Sequence, residues 1–105
     1  PKEKIGILAG GLNGNVKKFA IVDDVLASGK SMEPAFKDIN ALGKQVVCLA
    51  VLSYGLDKLI AGKYGIEVRT LFTIGDLLNC LDQKISSKLK AYVTGYQATL
   101  RSIIE

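Results

Sequence analysis

Two adjacent carboxylates, followed within a few residues by serine, glycine and serine, make residues 19–32 (FAIVDDVLASGKSM) the segment of this chain best equipped for chemistry. Ala27, Ser28, Gly29, Lys30 and Ser31 are small or polar and stand where a strand hands over to a helix. There the helix offers unpaired N–H groups and the positive end of its dipole to an anion. Small side chains let the backbone close around a phosphate, Ser28 and Ser31 add hydroxyl donors, and Gly29 accepts a left-handed φ. Just before them, Asp23 and Asp24 would repel each other and the phosphate unless hydroxyls or a cation lie between. A sugar diol and Mg²⁺ meet that need. The parts spell phosphate, ribose and metal.

Plainer readings compete. A serine at a helix start is more often only a cap, and an Asp-Asp pair at a strand end is often a solvated turn. Lys30-Ser31 has the ending of a P-loop, but Asp24 occupies the place of that motif's first glycine. Ile21 to Asp24 (IVDD) is similar to the opening of a response-regulator receiver. A receiver needs a further aspartate at the end of a later strand, where this chain has Leu52-Ser53-Tyr54.

The elements that must position these residues alternate between strand and helix, which predicts an α/β fold, a parallel sheet with flanking helices. Strand one is predicted over 19–25. Helix one follows over 32–42, with Met32, Ala35, Phe36, Ile39 and Leu42 on one face, Pro34 in the first turn and Gly43 as terminator. Strand two, 46–52, is apolar throughout, as in a strand covered on both faces. A short helix over 56–64 presents Leu56, Leu59 and Ile60, and strand three, 66–72, carries Glu67 and Arg69 and so lies nearer an edge. Thr73 and Asp76 have capping-box spacing and open a helix with Ile74, Leu77, Leu78 and Leu81 on one face. The final segment, 86–104, repeats Leu89, Tyr92, Val93, Tyr96, Leu100 and Ile103 at helical spacing despite Gly95. Residues 1–18 read as a glycine-rich mobile loop, 19–83 as the α/β core and 84–105 as a terminal helix.

Composition narrows the function classes. Half of the 105 residues are apolar and 23% are charged, the profile of one globular domain. The formal charge of +4 comes from basic residues scattered along the chain without interleaved aromatics, so it marks a solvated surface rather than a nucleic-acid interface. The longest apolar run, VVCLAVL, is far shorter than the roughly 20 residues of a membrane helix, and no secretory signal is visible. Cys48 and Cys80 lie in apolar segments and read as buried, reduced thiols of a cytoplasmic protein. Two cysteines without histidine build no metal motif.

Val22 to Ser31 (VDDVLASGKS) resembles the phosphoribosyl-pyrophosphate signature of type I phosphoribosyltransferases: an apolar strand, two acids, two apolar residues and a glycine-containing turn. Farther along, GKQVVCLAVLSYG and KYGIEVRTLFTIGDLL resemble the orotate phosphoribosyltransferase branch, so the likeness covers roughly residues 1–83. It implies transfer of the 5-phosphoribosyl group from phosphoribosyl pyrophosphate to a pyrimidine base such as orotate, with Mg²⁺ bound through the substrate. In that scheme the backbone and hydroxyls of Ala27 to Ser31 hold the 5-phosphate, Val25 and Leu26 belong to the same phosphoribosyl-pyrophosphate-binding segment, and Asp23 and Asp24 take the ribose hydroxyls and stabilise charge on the sugar. Lys2 and Lys4 fall in the catalytic loop that neutralises pyrophosphate, and Ala27 and Tyr54 fall at the base.

The departures are specific. Ala27 replaces a usual threonine, Ser53-Tyr54 replaces Asp-Arg, and Lys30 replaces a glycine or threonine. Losing the arginine removes the bidentate ligand for a base carboxylate. Two classes therefore remain: a dimeric transferase, and a non-catalytic regulatory module that keeps the phosphate cradle. The resemblance also leads us to expect a longer chain or a companion polypeptide, supplying an N-terminal half that pairs along strand one.

Overall fold

The computed structural model describes residues 16–105. Strand β1 (Lys18–Leu26) runs through a short 3₁₀ turn (Lys30–Met32) into helix α1 (Glu33–Ala41); β2 (Gln45–Ser53), α2 (Asp57–Tyr64), β3 (Glu67–Thr73), α3 (Ile74–Asn79) and α4 (Gln83–Ile104) follow. The strands form one parallel sheet in the order β1-β2-β3, with Ile21 opposite Cys48 and Cys48 opposite Val68. The α/β class expected from the alternating pattern is the one observed.

Local sequence explains the element ends. Pro34 sits in the first turn of α1, where its missing N–H costs nothing. Gly43 closes the helix at φ 74°, and the N–H groups of Gly43 and Lys44 return to the carbonyls of Asn40 and Ile39. That is a Schellman closure, which needs the left-handed conformation glycine adopts freely. At α3, Thr73 Oγ1 accepts from the Asp76 N–H at 3.1 Å, and Asp76 accepts from the Thr73 N–H at 2.9 Å. The predicted capping box is therefore present.

The core lies on one face of the sheet. Val46, Cys48 and Ala50 of β2 pack with Phe36 and Ile39 of α1, Ile60 and Tyr64 of α2, and Leu100 and Ile104 of α4. Burial pushes the Cys48 thiol up to about 11, so it stays a protonated, inert thiol at neutral pH.

Several expectations are corrected. Among the described residues strand two is covered on one face only: on the opposite face Val51 is exposed, as are Val22 and Leu71 on the neighbouring strands, at 74% and 72%. The cause is topological, because two right-handed crossovers that advance in the same direction leave both helices on the same side. Among the described residues β1 is an edge strand, with one backbone edge unpaired. Leu42, Leu59, Leu77, Leu81, Leu89, Tyr92, Tyr96 and Ile103 are exposed, since each helix turns only part of its apolar face to the single layer beneath it. Cys80 is exposed just beyond the short helix α3. Among the described residues no helix is long and apolar enough to cross a membrane.

Candidate functional site

The carboxyl end of β1 carries the predicted residues in a compact turn. Asp23 accepts the Asp24 N–H at 2.9 Å and Asp24 accepts the Val25 N–H at 2.8 Å, so each acid commits one oxygen to the next amide. Leu26 then plunges into the core, and its carbonyl accepts from the Tyr54 N–H at 3.1 Å, which ties this turn to the end of β2.

Gly29 sits at φ 77°, ψ 2° and is itself buried. A Cβ there would stand 3.3 Å from Ile60 Cγ2, 3.6 Å from Tyr64 Cε2 and 3.7 Å from Phe36 Cε2. Glycine is thus required twice, by the left-handed backbone and by the core beneath it. Valine at this position would therefore disturb the fold itself and not only a ligand contact.

Neither Ser28 nor Ser31 caps α1, whose N-terminal flank, Met32, makes no side-chain cap. Instead Ser28 Oγ accepts the Lys30 N–H at 3.2 Å, and the Met32 N–H donates to the Gly29 carbonyl at 3.1 Å. The N–H groups of Ser28, Gly29 and Ser31 have no partner among the described residues. Together these residues enclose a concavity of about 170 Å³ lined by Asp23 and by Val25 through Met32. Among the described residues Lys30, exposed, is the only cation in that lining, and Asp23 the only anion.

The two acids are not equivalent. Burial, then the neighbouring Asp24 carboxyl, holds Asp23 above the usual carboxylate range, whereas the Val25 N–H and the Asp23 carboxyl hold the exposed Asp24 below it. Asp24 does not line the concavity. A raised folded-state pKa means that ionised Asp23 costs stability at neutral pH, and the cost fades as pH falls through that pKa toward the unfolded one. Asp23→Asn keeps the acceptor for the Asp24 N–H and removes the charge. It is expected to stabilise the fold by about 0.5 kcal/mol near pH 7, an advantage over the parent that vanishes near pH 3 in paired urea titrations. An equal advantage at both pH values would remove burial of charge as its cause.

Tyr54 is brought near through its backbone only. Its ring packs edge-on against Tyr96 of α4, 5.1 Å between centroids at 78°, its carbonyl accepts from Gln97 Nε2 at 2.7 Å, and it does not line the concavity. Ala27 does line it. Lys2 and Lys4 lie outside the described residues.

Sequence reasoning missed the support beneath the turn. The Tyr64 hydroxyl donates to Glu33 at 2.7 Å, and Lys37 pairs with the same carboxylate at 3.0 Å. Burial and this acidic partner push the Tyr64 phenol up to about 12. The i, i+4 spacing of Ile60 and Tyr64 was the available signal, since it sets both under the turn on one helix face. Asp57, at the start of α2, accepts from Thr70 Oγ1 at 2.9 Å while its other oxygen is buried without a partner. Among the described residues no group of three or more acidic, cysteine or histidine side chains could hold a metal. No protein-family model matches the chain, and no curated protein is a significant match to it.

Proposed function

We propose that this chain carries the ribose-phosphate-binding part of a type I phosphoribosyltransferase, transferring the 5-phosphoribosyl group of phosphoribosyl pyrophosphate to a pyrimidine base such as orotate. The observation that carries the reading is the set of unpartnered N–H groups at Ser28, Gly29 and Ser31, around a concavity that also holds Lys30 and the Asp23 carboxyl. In this reading those N–H groups and the Lys30 ammonium hold the 5-phosphate, and the free oxygens of Asp23 and Asp24 accept from the ribose hydroxyls. The bond from the anomeric carbon to the pyrophosphate oxygen breaks as a deprotonated ring nitrogen forms the new bond. Positive charge that builds on the sugar is stabilised by the ionised Asp24.

The two acids suit Mg²⁺ that arrives on the substrate rather than in a protein cage, because each has one oxygen already committed to backbone. Bound in that way, the ion would neutralise the pyrophosphate as it leaves. A homodimer in the cytoplasm, and a companion polypeptide covering the open sheet face and pairing along β1, complete the proposal. What supports the companion is the exposed apolar face at Val22, Val51 and Leu71, which a parallel sheet ordinarily buries.

One observation favours the second reading, a non-catalytic module binding phosphoribosyl pyrophosphate or a nucleotide. The Tyr54 ring is engaged with Tyr96 and is not turned to a base. Titration calorimetry with phosphoribosyl pyrophosphate and Mg²⁺, followed by a pyrophosphate-release screen over free bases, separates the two. Binding by this chain alone, with turnover only once the companion polypeptide is supplied, is the expected result; binding without turnover even then selects the module, and no binding removes both.

A further inference from the structure

Tyr64, the last residue of α2, holds α1 at three points. Its ring packs on Phe36, 5.2 Å between centroids, and its carbonyl accepts from Asn40 Nδ2 at 2.9 Å. The third point differs in kind: the hydroxyl donates to Glu33, the first residue of α1 and two positions beyond Ser31. Ring and carbonyl dock the helix by themselves, so the bond from phenol to carboxylate is not needed to join the two elements. What it fixes is the place of the Glu33 charge.

That charge stands close to the turn after β1. A carboxylate in the first turn of a helix is drawn to the same unpaired N–H groups and the same positive dipole end that attract a phosphate. In a capping box a glutamate reaches back to the N–H three residues before it. Three residues before Glu33 is Lys30, which lines the concavity. Glu33 makes no such bond here. Its Oε2 accepts from Tyr64 at 2.7 Å and its Oε1 pairs with Lys37 at 3.0 Å, and among the described residues it is absent from the lining of the concavity. The Tyr64 hydroxyl, then Lys37, hold the carboxyl below its usual range, so it is ionised at neutral pH. Lys37 is exposed, and an exposed i, i+4 pair is a weak restraint. Tyr64 is only 8% exposed, which makes its hydroxyl the fixed end of the tether.

We infer that Tyr64 is a positioning residue for anion binding at the turn after β1: its hydroxyl draws the Glu33 carboxylate aside and so keeps an internal anion off the N–H groups that a ligand phosphate takes. This assignment rests on the phosphate reading of that turn.

Calorimetry on the whole chain with phosphoribosyl pyrophosphate and Mg²⁺ tests it. Tyr64→Phe keeps the ring beneath Gly29 and frees Glu33, and it should weaken binding about tenfold while circular dichroism shows the fold intact. Adding Glu33→Gln to that variant should restore the affinity to within about twofold of the parent, a rescue that a purely structural hydroxyl does not give. Two variants that leave the core untouched decide the matter even if Tyr64→Phe does not fold. Glu33→Gln keeps an acceptor for the phenol and loses the charge, so it should bind at least as tightly as the parent. Glu33→Asp keeps the charge but is one carbon too short to reach Tyr64, and it should bind about fivefold more weakly than the parent. Unchanged affinity in a folded Tyr64→Phe, a failed rescue, or equal binding by the two Glu33 variants would overturn the inference and leave the phosphate reading standing. No binding by the parent would remove both.

Discussion

Gly29→Val is expected to lower unfolding free energy by about 3–5 kcal/mol, adding the left-handed backbone penalty to the strain of overpacking. The branched side chain must adopt φ near 77° and must also displace Ile60, whose Cγ2 stands 3.3 Å from the first added carbon. Ile60 and Phe36 are fully buried, so neither can swing outward to relieve the contact. Against a typical total of about 5–15 kcal/mol, such a loss is severe. Urea denaturation followed by circular dichroism measures it. Gly29→Ala, with one carbon and no branching, should cost roughly half as much. If both variants unfold at the parent midpoint, the turn is not anchored in the core as described.

Asp24→Asn should reduce turnover about 100-fold in the transferase reading, with the dissociation constant for phosphoribosyl pyrophosphate changed by only a few-fold. The Val25 N–H that Asp24 accepts holds the carboxylate ionised, so negative charge is available at the strand end throughout the neutral range. In open water that charge is worth little to a forming cation. Its effect grows when the bound substrate and an enclosing loop exclude solvent. Pyrophosphate release in the steady state, set beside calorimetric binding, tests the split. A variant that loses binding and turnover equally would make Asp24 a ground-state ligand, and one that keeps full turnover would remove it from the chemistry.

The order and type of the elements were legible because α/β chains change the period of their apolar residues at each boundary. The capping box at Thr73 and the closure at Gly43 were legible because each involves residues adjacent in sequence. What escaped depends on the third dimension. Nothing in the run VVCLAVL reveals that both crossovers leave it bare on one side, so the exposure of Val51 was not foreseeable from hydropathy. Likewise, Leu42, Leu59 and Leu77 obey helical spacing, yet a single covered face uses only part of each stripe. The turn residues were found by type and order. That Gly29 rests on Ile60 and Tyr64, more than thirty residues away, and that the Tyr54 ring turns to Tyr96, follow from packing alone.

The turn after β1 follows the buried Leu26 and at Gly29 stands over Ile60, Tyr64 and Phe36, and the Tyr54 N–H ties its start to β2 through the Leu26 carbonyl. Such a turn has no loosened state of its own, since opening it means separating the strands and emptying the core. The conformational entropy of arranging its N–H groups is therefore spent when the domain folds, and an arriving anion has little left to order. The same coupling runs in reverse. Any ligand held there weights the entire folded state, raising global stability by the logarithm of its saturation rather than stiffening one loop.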